Sequence, residues 1–352
     1  MAFLSIPNVR IAGISACVPK RIEQCSDLPI LSKEESLNFI NTTGVVSRRV
    51  ADENMCSSDL CYYAAEKMIL DLGWSRDSID CLIFVTQTPD YIIPSTSPLL
   101  QTMLNLSETC LTLDISLGCS GYVYALNVIS SLISHGSIKR GLLLAGDTIL
   151  KTCSPNDKST YPLFGDAGSA TAIEFIENDD SKLLFNLKSD GKGSDVIRIR
   201  EGGFRNKATV DSFIMSSCSE NILRNKLQLE LDGMDVFTFG ISKAPRCVQE
   251  LLDFYDISID SIDYFTFHQA NLFMNERIRK KMKIPAEKTP NSIRDFGNTS
   301  CATIPLTMVT ELRKQLLCRD LTHLICGFGV GLSWGSACFQ TKNICCPDLI
   351  EI

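Results

Sequence analysis

The 352-residue chain contains only three His and two Trp, and it has no run of about 18 apolar residues. Without such a run, no segment reads as a membrane-spanning helix. Positive charge is also in short supply. Against 41 Asp and Glu stand 34 Lys and Arg, a net charge of −7, which argues against a general nucleic-acid binder. Collagen-like, Pro-rich and Gln/Asn-rich tracts are missing. Residues Met1 to Arg10 lack the basic stretch, apolar core and small-residue cleavage site of a secretory signal. The expectation is a cytoplasmic protein with reduced thiols. A zinc site is not expected, because the close pairs Cys56/Cys61 and Cys345/Cys346 have neither a second pair at ligand spacing nor a His nearby.

Cysteine, in contrast, is plentiful. The sixteen Cys read as small buried hydrophobes in a chain that is 45% hydrophobic and 21% charged. The length suits one large domain or two of moderate size. Apolar β-rich runs alternate with helical patterns. Strands are predicted at Val9–Val18, Cys81–Thr88, Leu111–Ser116, Gly141–Gly146, Ala170–Phe175, Tyr264–His268, His323–Gly327 and Ala337–Thr341. Runs such as Leu82-Ile83-Phe84-Val85 are continuous, as in sheets covered on both faces of an α/β fold. Between strands, Val123, Leu126, Ile129 and Ile133 form one apolar stripe of a helix that Gly136 stops. Residues from about Asp179 to Asn221 are rich in Ser, Gly, Asn and charge, and read as a connection with some irregular strand. A faint echo crosses it: a Gly-rich turn feeds a small-residue strand at Phe164–Ala170 and again at Gly327–Gly335. The chain is therefore divided into two related halves, 1–178 and 179–352.

Cys119 lies in Leu117-Gly118-Cys119-Ser120-Gly121, between a strand and an amphipathic helix. Free N–H groups and the helix dipole at such a turn lower a thiol pKa. The alternative is a buried Cys packed in a tight turn. Of the three His, His135 reads as a helix C-terminal cap, and His323 as a strand residue at the surface or in a local hydrogen bond. His268 ends a predicted strand and is followed by Gln269-Ala270-Asn271. Strand C-termini in α/β proteins line the ligand crevice. Asn298, in Gly297-Asn298-Thr299-Ser300, is either a turn residue or an amide presented at a helix start. Together, Cys, His and Asn make a nucleophile toward an activated acyl group and two donors toward a second carbonyl.

These strings, with Gly327-Phe328-Gly329-Val330-Gly331-Leu332-Ser333-Trp334-Gly335, Phe164–Gly168 and Thr43-Gly44-Val45, resemble β-ketoacyl-acyl-carrier-protein synthase III of the thiolase superfamily. Type III polyketide synthases also use Cys, His and Asn, but the His-Gln-Ala-Asn and Gly-Leu-Ser-Trp-Gly strings fit the synthase III branch better. The resemblance implies a duplicated five-layer αβαβα thiolase-like fold and a homodimer. It implies no permanently bound cofactor and no metal, with acyl-CoA or acyl-carrier protein and malonyl-carrier protein as substrates. Cys119 would be acylated, His268 and Asn298 would support the enolate left by loss of CO₂, and the N–H groups of Cys119 and Val330 would hold the tetrahedral oxyanion. Substrate contacts are expected from Asn271, Phe237, Gly233 and Phe328, and from Ile93 reaching a partner's acyl pocket. A basic run, Arg277-Ile278-Arg279-Lys280-Lys281-Met282-Lys283, is either a solvated helix face or a docking patch for an acidic carrier protein through Arg277, Lys280 and Lys281.

The chain departs from the family's pattern at Asn38, where an adenine-stacking Trp is usual, and at Thr42 and Phe273, where Arg is usual. These changes weaken the expectation of CoA as first donor. They keep open a second reading, a thiolase-fold acyltransferase or condensing enzyme of a secondary-metabolite or polysaccharide pathway with another donor or acceptor.

Overall fold

The computed structural model describes residues 2–178, 180, 182–219 and 222–352. Asp179, where the second half was placed to begin, and Asn221, the end of the predicted connection, lie outside the described residues. In chain order the strands of the two main sheets are β1 (Ala2–Pro7), β2 (Val9–Val18), β3 (Cys81–Val85), β4 (Leu111–Ile115), β5 (Arg140–Asp147), β6 (Ala167–Phe175), β7 (Lys182–Ser189), β8 (Tyr264–Phe267), β9 (Asp320–Gly329), β10 (Ser333–Lys342) and β11 (Ile350–Glu351). The longer helices are α1 (Lys33–Thr43), α2 (Ser57–Leu72), α3 (Gly121–Ile133), α4 (Gly233–Phe254), α5 (Leu272–Lys281) and α6 (Thr303–Cys318).

One sheet runs β11-β2-β6-β5-β3-β4 and the other β1-β7-β10-β9-β8. Helices α3 and α6 lie between the sheets, α2 covers the outer face of the first, and α4 with α5 covers the second. The result is five layers, αβαβα, as the resemblance implies. The stripe on α3 explains its central place: Val123, Leu126, Ile129 and Ile133 are all fully buried. Burying each such side chain contributes about 1.5–3 kcal/mol. All five residues of β3 are likewise buried, which is why its apolar run is continuous rather than alternating.

The echo in the sequence has a counterpart in the sheets. The run β2-β6-β5-β3 is antiparallel, antiparallel, parallel, and the run β7-β10-β9-β8 repeats that pattern. The two Gly-rich strings fall at corresponding connections, the first entering β6 after a long loop from β5 and the second spanning the short turn from β9 to β10. The ends of the chain are exchanged: β1 pairs with β7 in the second sheet, and β11 pairs with β2 in the first.

One expectation needs correction. The segment from Asp179 to Asn221 is more than a connection, because Lys182–Ser189 forms an eight-residue strand inside a main sheet, flanked by β1 and β10. Its Ser- and Gly-rich flank at 189–194 hid a short strand that its neighbours stabilise. All sixteen Cys are free thiols, and twelve of them are buried, as small packing residues should be. His323 is not at the surface. It is fully buried, with Nε2 2.9 Å from Thr341 Oγ1 and its ring stacked between Tyr264 and Phe339.

Candidate active site

Cys119 sits two residues before α3, just beyond the end of β4. The turn is tight: the Gly121 N–H donates to the Gly118 carbonyl at 2.6 Å. Two glycines are required by contact. A Cβ on Gly118 would stand 2.1 Å from Gln87 Oε1, and one on Gly327 would stand 2.9 Å from the Cys119 carbonyl oxygen. The thiol is surrounded by the backbone N–H groups of Val330 and Cys119 and by the Ser300 hydroxyl, each of which favours its charged form.

Those groups pull the thiol pKa down, as the turn geometry suggests, but they are outweighed. Burial pushes it up to about 12, and the negative charge of Asp147 adds to the rise. In the free protein Cys119 is a neutral thiol. His268 is neutral too, pulled down to about 3 by burial, with an opposing contribution from the Ser300 carbonyl.

His268 immediately follows β8, and its N–H donates to the Cys326 carbonyl at 2.8 Å, extending the parallel ladder with β9. Its ring is clamped on two sides. Nδ1 lies 2.8 Å from Thr303 Oγ1, and the Phe328 ring stands edge-on at 5.5 Å. Asn298 follows Gly297, whose φ of 65° turns the chain inward. Its backbone is bonded on both sides to the Leu163–Gly165 segment, at 2.9 and 3.1 Å. Its Oδ1 accepts the Ser300 N–H at 2.9 Å. That bond fixes the amide, so the Nδ2 group is the end left to donate.

All of Cys119, His268, Asn298 and Val330 line one cavity of about 150 Å³. Asn271, Gly233 and Phe328 line it as well. Asn271 is also the N-cap of α5, accepting the Met274 N–H at 2.8 Å. Phe237 is not at the cavity wall and instead stacks on Phe273, centroids 5.5 Å apart. Ile93 is 82% exposed on a loop outside the cavity of its own chain.

On α5, Arg277 packs its guanidinium over the Phe273 ring at 4.9 Å, while Arg279 is committed to Glu276 at 2.7 Å. Lys280 is exposed, 3.7 Å from Glu276, and Lys281 reaches the Ile241 carbonyl at 3.2 Å. Asn38 and Thr42 are exposed on α1.

Sequence reading missed four contributors. Gln87 lines the cavity against Gly118, and Asp147 pins that loop by accepting the Gln87 N–H at 2.7 Å. Ser300 and Thr303 complete the surroundings of Cys119 and His268. No local pattern marks Gln87, Asp147 or Thr303, since each acts on a group far away in the chain, and Ser300 stood in the Asn298 string with no role given to it. Among the described residues, no group of three or more His, Cys, Asp or Glu is placed to hold a metal ion, and no helix is long and apolar enough to cross a membrane.

The family described as 3-oxoacyl-(acyl-carrier-protein) synthase III matches residues 113–191, and its C-terminal counterpart matches residues 252–341. A β-ketoacyl-(acyl-carrier-protein) synthase III of Rhodopirellula baltica is 32% identical over 354 residues, covering 96% of this chain and 99% of that one. The chain belongs to the 3-oxoacyl-(acyl-carrier-protein) synthase III family. It is therefore an acyltransferase with the thiolase-like condensing-enzyme fold. The solved 3-oxoacyl-(acyl-carrier protein) synthase of Burkholderia xenovorans LB400 is 41% identical and superposes with a TM-score of 0.93, covering 100% of this chain and 99% of that one. A priming β-ketosynthase from the R1128 polyketide pathway is only 20% identical, yet its TM-score is 0.81, a likeness of fold. Within the family frame, the Cys119, His268 and Asn298 strings occupy one cavity, although 179 residues separate the first from the last.

Proposed function

We propose that this family member carries out a decarboxylative Claisen condensation through an acyl-Cys119 intermediate. The observation that carries the reading is the convergence of Cys119, His268, Asn298 and the Val330 N–H on one cavity. Cys119 attacks the carbonyl of an acyl thioester, its S–C bond forms, and the donor's C–S bond breaks. The N–H groups of Cys119 and Val330, beside the sulfur, would hold the tetrahedral oxyanion. A malonyl thioester then loses CO₂, with the enolate oxygen held by Asn298 Nδ2 and His268. The carbanion attacks the acyl-Cys119 and releases a 3-oxoacyl product.

Asn271, Gly233 and Phe328 would contact the thioester arm, with Phe237 and Phe273 at its mouth. Arg277, Lys280 and Lys281 would steer an acidic carrier protein toward that mouth. The division at 178/179 is part of the same reading, with Cys119 on one half and His268 and Asn298 on the other. A cytoplasmic homodimer fits it too. The edge strand β4 exposes Leu111 and Leu113, each 41% accessible, and Ile93 is exposed as a residue lent to a partner would be.

A second reading keeps Cys119 and changes the donor or acceptor, as in a secondary-metabolite or polysaccharide pathway. The exposed Asn38 and Thr42 favour it, since neither offers a ring to an adenine or a cation to a phosphate. Acyl-carrier protein would then replace acyl-CoA as first donor. Intact-mass spectrometry after incubation with acyl-CoA and acyl-carrier donors, beside Cys119→Ala, tests both readings. A mass gain in the wild type alone supports the nucleophile. Loss of the acyl label with CO₂ release on adding malonyl-carrier protein supports condensation. A gain that persists in Cys119→Ala would overturn the assignment.

A further inference from the structure

An acyl group left on Cys119 lies against the cavity wall, so the wall sets which acyl groups fit. Much of that wall is apolar: Ile149, Phe164, Ile197 and Leu229 belong to one buried cluster. A plain hydrocarbon chain asks for nothing more. Yet Gln87 also faces the cavity, from the loop that follows β3.

The Gln87 amide is held in place but left unbonded. Asp147, fully buried, gathers the loop on one oxygen. Its Oδ1 accepts the Gln87 N–H at 2.7 Å, the Thr88 N–H at 3.1 Å and the Thr86 hydroxyl at 2.8 Å. The side chain is seated against Gly118, where a Cβ would stand 2.1 Å from Oε1 and 2.8 Å from Cδ. The residue before the nucleophile is thus cut back to hydrogen to admit an amide. The other polar side chains on the wall have partners in the protein. Ser159 Oγ donates to Asp157 at 2.5 Å, Asn271 caps α5, and Asn298 Oδ1 accepts the Ser300 N–H. His268 Nδ1 meets Thr303, and the Ser300 hydroxyl lies beside Cys119. Among the described residues, nothing in the protein is hydrogen-bonded to the Gln87 amide. An amide that faces hydrocarbon forfeits the hydrogen bonds it makes in water, so a purely alkyl acyl group is penalised here.

An amide offers both a donor and an acceptor. A hydroxyl complements it, since it can accept from Nε2 or donate to Oε1. A carboxylate does not fit as well. Among the described residues no Lys or Arg lines the cavity, and the Asp147 charge lies behind Gln87. We propose that Gln87 is a specificity-determining residue that selects a short, hydroxylated acyl group for transfer to Cys119. This rests on the acyl-Cys119 reading and names its substrate class.

The test offers the full chain an equal mixture of 3-hydroxybutanoyl-pantetheine and butanoyl-pantetheine. Intact mass resolves the two Cys119 adducts, which differ by one oxygen. The wild type should favour the hydroxylated adduct about tenfold, the scale of a hydrogen bond to a group otherwise left unpaired. Gln87→Met keeps the length, removes the amide, and should bring the ratio to one or below. Succinyl-pantetheine, which ends in a carboxylate, should acylate more slowly than the hydroxylated donor. A wild-type ratio of one or below, a preference for the succinyl donor, or an unchanged ratio in Gln87→Met would overturn the proposal. Calorimetry of the same compounds on Cys119→Ala, with and without Gln87→Met, gives the preference without chemistry. If the wild type takes no label from any donor, the nucleophile assignment fails, and the binding ratio still decides the role of Gln87.

Discussion

Gly329 lies against Cys119 so closely that a Cβ at Gly329 would stand 2.6 Å from the Cys119 Cβ and 2.8 Å from its Sγ. Hydrogen at this position is what allows the β9–β10 hairpin to bring the Val330 N–H onto the sulfur. Gly329→Ala must displace one of them. The expected result is loss of Cys119 acylation by about a hundredfold, the scale of a displacement of about 1 Å at reacting atoms. Quenched-flow mass spectrometry measures it, and an alanine variant acylated at the wild-type rate would count against the hole built from Val330.

Asn298→Ala should separate the half-reactions. Acylation of Cys119 needs no enolate stabiliser and should stay within a few-fold of wild type. Release of ¹⁴CO₂ from malonyl-carrier protein should fall about 10²–10³-fold, the usual loss for one donor at a developing oxyanion. Equal losses in both steps would place Asn298 in folding rather than in the second step.

Burial holds the Cys119 thiol up at about 12 and His268 down at about 3. Neither group changes charge between pH 5 and 8, so the single-turnover acylation rate should be flat across that range. An inflection between pH 6 and 7 in the wild type, absent when donor ionisation is controlled for, would point instead to a preformed thiolate–imidazolium pair.

His323 offers a test in stability. Burial lowers its folded pKa to about 4, against about 6.5 in the unfolded chain. Below pH 6.5 the unfolded chain binds a proton that the folded chain refuses, so stability from the neutral ring is lost as pH falls from 6.5 toward 4. Comparison with His323→Phe isolates this contribution. Asp166, whose buried carboxyl is raised to about 7, slopes the other way but is common to both chains and cancels. Urea midpoints at pH 7.5 and pH 4.5 should show the wild type losing ground to the variant in acid, and an unchanged difference would contradict it.

The double variant Lys280→Glu/Lys281→Glu should raise the KM for malonyl-carrier protein about tenfold at low salt while kcat holds, because exposed charges act mainly on encounter. The effect should fade as salt is added. A KM that does not move would return α5 to a plain solvated face.

The sequence by itself determined much of this molecule. Continuous apolar runs such as Cys81–Val85 fixed strands covered on both faces, and the stripe on Val123, Leu126 and Ile129 fixed a buried helix, because periodicity reports directly how many sides of an element meet water. The Cys119, His268 and Asn298 strings were legible because chemistry at a chain turn demands particular residues side by side. The tertiary structure alone decided three things. Lys182–Ser189 became an inner strand because β1 and β10 supply its partners from distant parts of the chain. Cys119 became a thiol rather than a thiolate, since desolvation by packed neighbours outweighs the hydrogen bonds at its turn. The ring of His268 was held by a hydroxyl 35 residues away, its Nδ1 2.8 Å from Thr303 Oγ1. Local order follows from neighbours in the chain, but ionisation and proton placement follow from neighbours in space, and only folding creates those.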